Sequence, residues 1–202
     1  RLDGSIPRTG ELSPNLVGKA LGLNVKEGFP IPELLAPRPP KLCDGCPHID
    51  SYTALNEAMK SYGEYKVFAD IGCYTLGALP PLKAIYTTVD MGASITMAKG
   101  AAEADLRPTV AVIGDSTFTH SGMTGLLDCV VDNVPVTVMI LDNGITGMTG
   151  SQKSSATGRI ESICQGIGVD PEHIRVINPL PSKLEENIKV IQECLPLHAA
   201  SR

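Results

Sequence analysis

The chain has 202 residues, of which 43% are hydrophobic and 19% are charged, a balance typical of a globular domain rather than a disordered chain. A net charge of −5 without any Lys/Arg run argues against nucleic acid or an anionic membrane as a partner. No apolar stretch approaches the roughly 20 residues that span a bilayer. Neither the first residues nor the six cysteines follow the pattern of a secreted protein, so we expect a cytoplasmic location.

Residues 1–42 differ from the rest of the chain in their proline content. The prolines are Pro7, Pro14, Pro30, Pro32, Pro37, Pro39 and Pro40. Because proline fixes φ and removes a hydrogen-bond donor, this segment is predicted to be an extended arm or linker with one short helix at 16–21. We assign residues 43–202 to one folded domain. An arm that cannot bury itself is expected to lie on another domain, which suggests that the chain is a fragment.

From residue 43 onward, helical and strand patterns alternate. Helices are predicted at 51–62, 94–104, 122–131, 158–167 and 182–195. Strands are predicted at 66–70, 84–89, 109–113, 136–141 and 174–177. Ser51 is the expected N-cap of the first helix. The alternation predicts an α/β fold, a parallel sheet with helices on both faces, in which ligands bind beyond the carboxyl ends of the strands.

Polar side chains follow two neighbouring buried strands of this sheet. Gly114-Asp115-Ser116 comes after one strand, and Asn143-Gly144-Ile145 comes after the next. A carboxylate, an amide oxygen and a backbone carbonyl are hard oxygen ligands suited to Mg²⁺, and Gly114 allows close approach of a ligand. The following helix would point its N-terminus at the same place, which favours phosphate. The spacing alone is equally compatible with an Asp that serves as a turn or N-cap residue.

Two further segments carry candidate site residues. Met91-Gly92-Ala93-Ser94-Ile95 joins a strand to a helix with small residues, as either a ligand-binding loop or a plain turn would. Cys43 and Cys46 form a C-x-x-C pair, and Cys73 follows later. A zinc knuckle, a redox pair and unligated cysteines all explain this pattern, and so does the start of an iron–sulfur site. A fourth ligand would be needed, and Cys194 is the one late candidate.

Together these motifs resemble the thiamine-diphosphate-binding domain of the indolepyruvate:ferredoxin oxidoreductases, within the 2-oxo acid:ferredoxin oxidoreductases. The segments that carry the resemblance are 38–48, 70–77, 91–95, 114–122 and 142–150, in the order of the family. The resemblance implies the diphosphate-binding fold of thiamine enzymes. The family motif usually reads Gly-Asp-Gly, so Ser116 is a departure that could add a hydroxyl near phosphate.

By this resemblance, Asp115 and Asn143 give side-chain oxygens, and Ile145 its carbonyl, to a Mg²⁺ that bridges the diphosphate. The implied cofactor-binding residues are Gly45, Cys46, Pro47, His48, Gly72, Cys73, Tyr74, Gly92, Ala93, Ser94, Ile95, Gly114, Asp115, Ser116, Asn143, Ile145, Thr146, Gly147 and Met148. Ile95 is the first candidate, and Met91 the second, for the bulky residue that bends the cofactor.

Two histidines and three cysteines complete the implied site. We predict that His48 and His120 act in catalysis by hydrogen bonding to the diphosphate or to the substrate carboxylate, although a lone histidine is more often structural. Cys43, Cys46 and Cys73 are candidate ligands of a [4Fe-4S] cluster and are expected to converge in space.

The resemblance also implies an activity, the oxidative decarboxylation of an aryl-pyruvate to an acyl-CoA with electrons passing to ferredoxin. Expected partners are a pyrimidine-binding domain of the same parent subunit, a small (beta) subunit, ferredoxin and coenzyme A. The pyrimidine-binding domain would supply the activating Glu, so we expect this chain alone not to reduce ferredoxin. The alternatives are a non-oxidative thiamine-dependent 2-oxo acid decarboxylase and a cofactor-binding domain without turnover of its own.

Overall fold

The computed structural model describes residues 4–26, 28–30, 32–36, 39–63 and 65–195. Parts of the predicted arm, including Pro37, lie outside the described residues. The chain divides into two compact units, residues 1–39 and residues 40–202. No helix of the described part is long and apolar enough to cross a membrane.

The first unit contains one helix, α1 (Pro14–Ala20), which begins two residues before the predicted helix. Ser13 is its N-cap, and the Ser13 Oγ accepts a hydrogen bond from the Leu16 amide at 3.2 Å. The proline at the first helical position favours this start, because its missing N–H would be unpaired there anyway. Phe29 and Leu34 are almost fully exposed, so this unit buries few of its own apolar side chains.

The second unit is built around a four-stranded parallel sheet with the strand order β2-β1-β3-β4. Its strands are β1 (Lys66–Ala69), β2 (Thr87–Thr88), β3 (Thr109–Gly114) and β4 (Thr137–Leu141). The helices are α2 (Pro47–Met59), α3 (Ala93–Glu103), α4 (Asp115–Thr117), α5 (Met123–Val131), α6 (Ile160–Ile167) and α7 (Leu184–Cys194). A short antiparallel pair, β5 (Ile145–Thr146) and β6 (Gln152–Lys153), follows β4.

The central strand β3 has both of its faces buried. Val110 and Val112 belong to a core cluster that includes buried residues of α2 and α7. Ala111 and Ile113 belong to a second cluster that includes residues of α3, α5 and α6. Alternate side chains of a strand point to opposite faces, so helices cover both faces of the sheet. The predicted α/β class and parallel sheet are confirmed.

Three predicted elements differ from the structure. The first helix of the second unit begins at Pro47, not Ser51, and the Ser51 Oγ lies inside it and donates to the Pro47 carbonyl at 3.0 Å. The strand predicted at 84–89 is reduced to Thr87–Thr88. Segment 174–177 forms no strand, because no strand of the sheet pairs with it among the described residues.

Candidate functional site

Three predicted segments meet at one cavity beyond the carboxyl ends of the strands. The cavity has a volume of about 290 Å³. Its lining includes Met91, Ser116, His120, Thr146, Lys153 and Ser155. The first four come from the loops that the sequence singled out, so the fold brings those loops together as expected for ligand binding at this edge of a parallel sheet.

The Asp115 carboxylate is the most unusual group at this site. The residue is only 3% exposed, and its Oδ2 atom has no hydrogen-bond partner. Burial raises the pKa of Asp115, the nearby Ser154 side chain lowers it, and the nearby Asp142 carboxylate raises it again. A buried carboxylate with a free oxygen and a second acid beside it is stabilised by a cation. The residues present therefore fit a bound metal ion.

The loop after β4 is shaped by its own polar side chains. The Asn143 Oδ1 accepts from the Ile145 amide at 3.0 Å, and the Asp142 Oδ1 accepts from the Gly144 amide at 2.9 Å. Gly144 has a φ of +71°, which lets the chain turn sharply here. The Asn143 oxygen keeps a second lone pair, so this turn is compatible with the predicted ligand role.

Hydroxyl groups tie this loop to the Asp115 segment. The Ser116 Oγ and the Thr146 Oγ1 lie 2.7 Å apart. Beyond them, the antiparallel β5–β6 pair turns the chain back, and the Ser154 amide donates to the Gly144 carbonyl at 3.0 Å. This return brings Lys153 to the cavity and Ser154 to the Asp115 carboxylate.

The two candidates for the bulky residue beside the cofactor, Ile95 and Met91, differ in their exposure. Ile95 is fully buried in the core cluster between α3 and β3. Met91 is 41% exposed and lines the cavity. The structure therefore favours Met91, the second candidate, as the bulky residue next to a ligand. Gly92 has a φ of +96°, and the Ser121 Oγ donates to the Met91 carbonyl at 2.7 Å.

The Tyr74 ring holds several predicted residues in place. A Cβ atom added at Gly72 or at Gly114 would lie 2.3 Å or 2.6 Å from this ring, so both positions require glycine. Burial raises the pKa of Tyr74 to about 12. The His48 ring meets Tyr74 edge-on, with 6.2 Å between the ring centroids. These residues form the packed base of the site rather than its surface.

The two predicted catalytic histidines occupy different environments. His48 is 5% exposed and packs on Tyr74, and burial lowers its pKa. His120 is exposed and lines the cavity, and its Nδ1 lies 3.0 Å from the Ser121 Oγ. Of these two side chains, His120 lines the cavity, whereas His48 is buried against Tyr74, and the catalytic role of each stays a prediction.

The cysteines near the site are free thiols. Burial raises the pKa of Cys46, the N-cap of α2, and both Cys43 and Cys73 are near enough to raise it further. The Cys73 Sγ lies against Gly147, where an added Cβ would come within 3.1 Å of it. No three His, Cys, Asp or Glu side chains within the described ranges form a group arranged to hold a metal. Cys43 and Cys73 thus both lie near Cys46, while the [4Fe-4S] cluster itself stays a prediction.

The remaining predicted site residues are Cys194, the candidate fourth cluster ligand, and Gly45 and Pro47 at the start of α2. Arg175 and Glu193 are the charged groups that act on the Cys194 thiol, not the three cysteines of the predicted cluster. Gly45, with a φ of +72°, forms the turn before Cys46, and Pro47 is the first residue of α2.

Sequence reasoning missed several residues that the fold brings to the site. They are Asp70, Asp142, Lys153, Ser154 and Ser155. Asp142 stands between the predicted strand 136–141 and the predicted ligand Asn143, a position that the sequence alone could have indicated. Lys153 and Ser155 reach the cavity, and Ser154 reaches Asp115, only because the β5–β6 pair folds back, and nothing local in the sequence indicates that pairing.

Comparisons with known proteins agree with this geometry. Residues 70–189 match the family model "Thiamine pyrophosphate enzyme, C-terminal TPP binding domain". The chain is 38% identical over 182 residues to an indolepyruvate oxidoreductase subunit IorA of Archaeoglobus fulgidus, covering 81% of this chain and 29% of that protein. The IorA subunit of Pyrococcus abyssi is 33% identical over 232 residues, covering 97% of this chain and 35% of that protein. The resemblance inferred from the motifs is confirmed.

One solved structure shows the same fold. A 2-oxoglutarate:ferredoxin oxidoreductase from Magnetococcus marinus superposes with a TM-score of 0.57 at 18% identity, covering 79% of this chain and 61% of that chain. The chain spans about a third of the length of the curated relatives that it matches.

Proposed function

Because the chain belongs to the family of the C-terminal thiamine-pyrophosphate-binding domain of thiamine pyrophosphate enzymes, we propose that its cavity binds thiamine diphosphate through Mg²⁺. Within a larger subunit, this domain serves the oxidative decarboxylation of an aryl-pyruvate such as indolepyruvate. The relatives named indolepyruvate oxidoreductase support the substrate class.

The buried, unpartnered Oδ2 of Asp115 is the observation that carries the metal proposal. Mg²⁺ would be held by the side-chain oxygens of Asp115 and Asn143 and by the Ile145 carbonyl. Asp142 adds negative charge beside Asp115, which favours a cation further. Mg²⁺ prefers oxygen ligands and usually keeps water and phosphate oxygens in its remaining positions, so a diphosphate completes such a site.

The rest of the cavity suits the organic part of the cofactor and its phosphates. The hydroxyls of Ser116 and Thr146 and the Lys153 ammonium lie where phosphate oxygens would be bound. Met91 offers an apolar side chain to the ring system, and His120 offers a ring nitrogen to the diphosphate or to a substrate carboxylate. When bound, thiamine diphosphate supplies a thiazolium that accepts the electron pair left when a 2-oxo acid loses CO₂.

Anaerobic calorimetry of the purified chain with thiamine diphosphate tests this proposal. We expect binding in the presence of Mg²⁺ and a large loss of affinity after chelation of divalent cations. Equal affinity with and without Mg²⁺ would contradict the metal assignment, and no binding under either condition would contradict the cofactor assignment.

The activity of the parent enzyme needs a separate test. The complete subunit, assembled with its small (beta) subunit, should reduce ferredoxin with indolepyruvate in a reaction that requires coenzyme A. Release of an aldehyde without any electron acceptor would instead support the non-oxidative decarboxylase. Iron analysis after anaerobic purification tests the predicted [4Fe-4S] cluster, which stays a prediction from the sequence.

Lys153→Met should lower the affinity for thiamine diphosphate by about fivefold to tenfold, because an exposed ammonium beside a diphosphate contributes roughly 1 kcal/mol. The loss should shrink at high salt, since salt screens exposed charges. Lys189→Met, which removes the same charge from the exposed surface of α7, is the matched control and should leave the affinity unchanged. Equal affinities of the two variants would remove Lys153 from the site.

One pair of substitutions shows whether Met91 or Ile95 is the bulky residue beside the cofactor. Met91→Ala should weaken thiamine diphosphate binding by about fivefold with little effect on the free energy of unfolding, because Met91 is partly exposed at the cavity. Ile95→Val should lower the free energy of unfolding by about 1 kcal/mol, because it removes a methylene from the core. Weaker binding caused by Ile95→Val alone would restore Ile95 as the residue beside the cofactor.

A further inference from the structure

Asp70 lies directly after β1, outside the residues so far assigned to the cofactor, and it is completely buried. Its Oδ1 accepts from the Ser94 amide and its Oδ2 from the Ser94 Oγ, both at 2.6 Å. Burial raises the pKa of Asp70, and the nearby Ser94 and Gly92 groups lower it. One acidic side chain therefore satisfies two donors at the start of α3, a helix whose own N-cap residue, Gly92, has no side chain to do so.

The backbone of Asp70 is anchored as firmly as its side chain. The Asp70 amide donates to the Val112 carbonyl in β3 at 3.3 Å. The Asp70 carbonyl accepts from the Thr75 Oγ1 at 2.6 Å and from the Thr88 Oγ1 at 3.2 Å. The residue thus connects the central strand to the segment that contains Cys73 and to the end of β2.

The segment 91–95 is held from two sides as a result. Asp70 binds the amide and the hydroxyl of Ser94 from within the fold, and the Ser121 Oγ donates to the Met91 carbonyl from the other side at 2.7 Å. Between these two attachments, the Met91 side chain faces the cavity. Burying a carboxylate is unfavourable unless its hydrogen bonds are satisfied, so such a group at this position fixes one conformation of the loop.

We infer that Asp70 is a positioning residue. It holds the segment 91–95 in the conformation that contacts the ring system of thiamine diphosphate. Its effect passes through Ser94 to Met91, and it does not act on the diphosphate, which we assign to Asp115 and the β5–β6 pair. This inference rests on the proposed function of the cavity.

Two probes, each with Mg²⁺, separate positioning from general stability. Thiamine diphosphate contacts both the metal site and the segment 91–95, whereas inorganic diphosphate contacts only the metal site. Asp70→Ala should lower the affinity for thiamine diphosphate by about tenfold or more, because both hydrogen bonds from the carboxylate to Ser94 are lost. Its affinity for inorganic diphosphate should change by less than about twofold.

Conservative variants keep the test informative if Asp70→Ala does not fold. Asp70→Asn can still accept from the Ser94 amide and can donate to the Ser94 Oγ, so it should recover most of the lost affinity. Ser94→Ala should give an intermediate loss for thiamine diphosphate only. Glu185→Gln, which neutralises an exposed carboxylate on α7, should behave as wild type.

Parallel losses for both probes in Asp70→Asn and Ser94→Ala, or no loss for thiamine diphosphate in any variant, would overturn the inference. Wild-type chain that binds inorganic diphosphate but not thiamine diphosphate would overturn the proposed function, and the inference with it.

Discussion

Asp115→Ala should lower the affinity for thiamine diphosphate in the presence of Mg²⁺ by at least about 100-fold, or roughly 3 kcal/mol. The variant removes the one charged ligand assigned to the metal, and the diphosphate charge is then poorly compensated. Titration calorimetry with thiamine diphosphate at fixed Mg²⁺ measures this loss. Glu185→Gln, which neutralises an exposed carboxylate on α7, is the control and should bind as wild type.

Asp115→Asn distinguishes lost ligation from a damaged fold. In the metal-free chain, the Asp115 carboxylate is buried with one unpartnered oxygen and with Asp142 nearby. Neutralising it should leave the free energy of unfolding equal to or above that of wild type, while the cofactor affinity still falls. A variant that binds thiamine diphosphate as wild type does, or that unfolds far more easily without ligand, would contradict the assignment of Asp115 as a metal ligand.

The fold could be predicted where the hydrophobic pattern of the sequence is local and repeats along the chain. The apolar run of β3 predicts a strand buried on both faces, and the structure places it at the centre of the sheet. Segment 174–177 has a similar composition, but a strand also needs a neighbour with free hydrogen-bonding groups, and that depends on the whole sheet. The start of α2 at Pro47, rather than at the predicted Ser51, could have been inferred, because proline is suited to the first turn of a helix.

The site was predictable as a set of loops rather than as a set of contacts. Asp115 and Asn143 follow strands that lie side by side, so their approach follows from the topology. Ile95 could have been placed in the core, because Ala98 and Ala102 continue its buried stripe at helical spacing. The bonds between Asp70 and Ser94 join residues 24 positions apart, and no local pattern in the sequence indicates such a pair.

Gly92→Ala should both destabilise the chain and weaken cofactor binding. The residue has a φ of +96°, a conformation that L side chains rarely adopt, and an added Cβ would lie 2.6 Å from the Ser121 Oγ and 2.8 Å from the Ser121 carbonyl oxygen. Backbone strain of this kind costs about 1–3 kcal/mol. Ser121 carries the hydrogen bond to the Met91 carbonyl, so relief of the clash must also move Met91 at the cavity.

Denaturant unfolding should therefore show a loss of about 1–3 kcal/mol for Gly92→Ala, and calorimetry should show at least about tenfold weaker binding of thiamine diphosphate with Mg²⁺. Gly100→Ala is the matched control, because Gly100 lies within α3 with no heavy atom inside 4 Å of an added Cβ. Alanine has the higher helix propensity, so this control should stabilise the chain by about 0.5–1 kcal/mol and leave binding unchanged. If Gly92→Ala and Gly100→Ala bind the cofactor equally well, the segment 91–95 does not contact it.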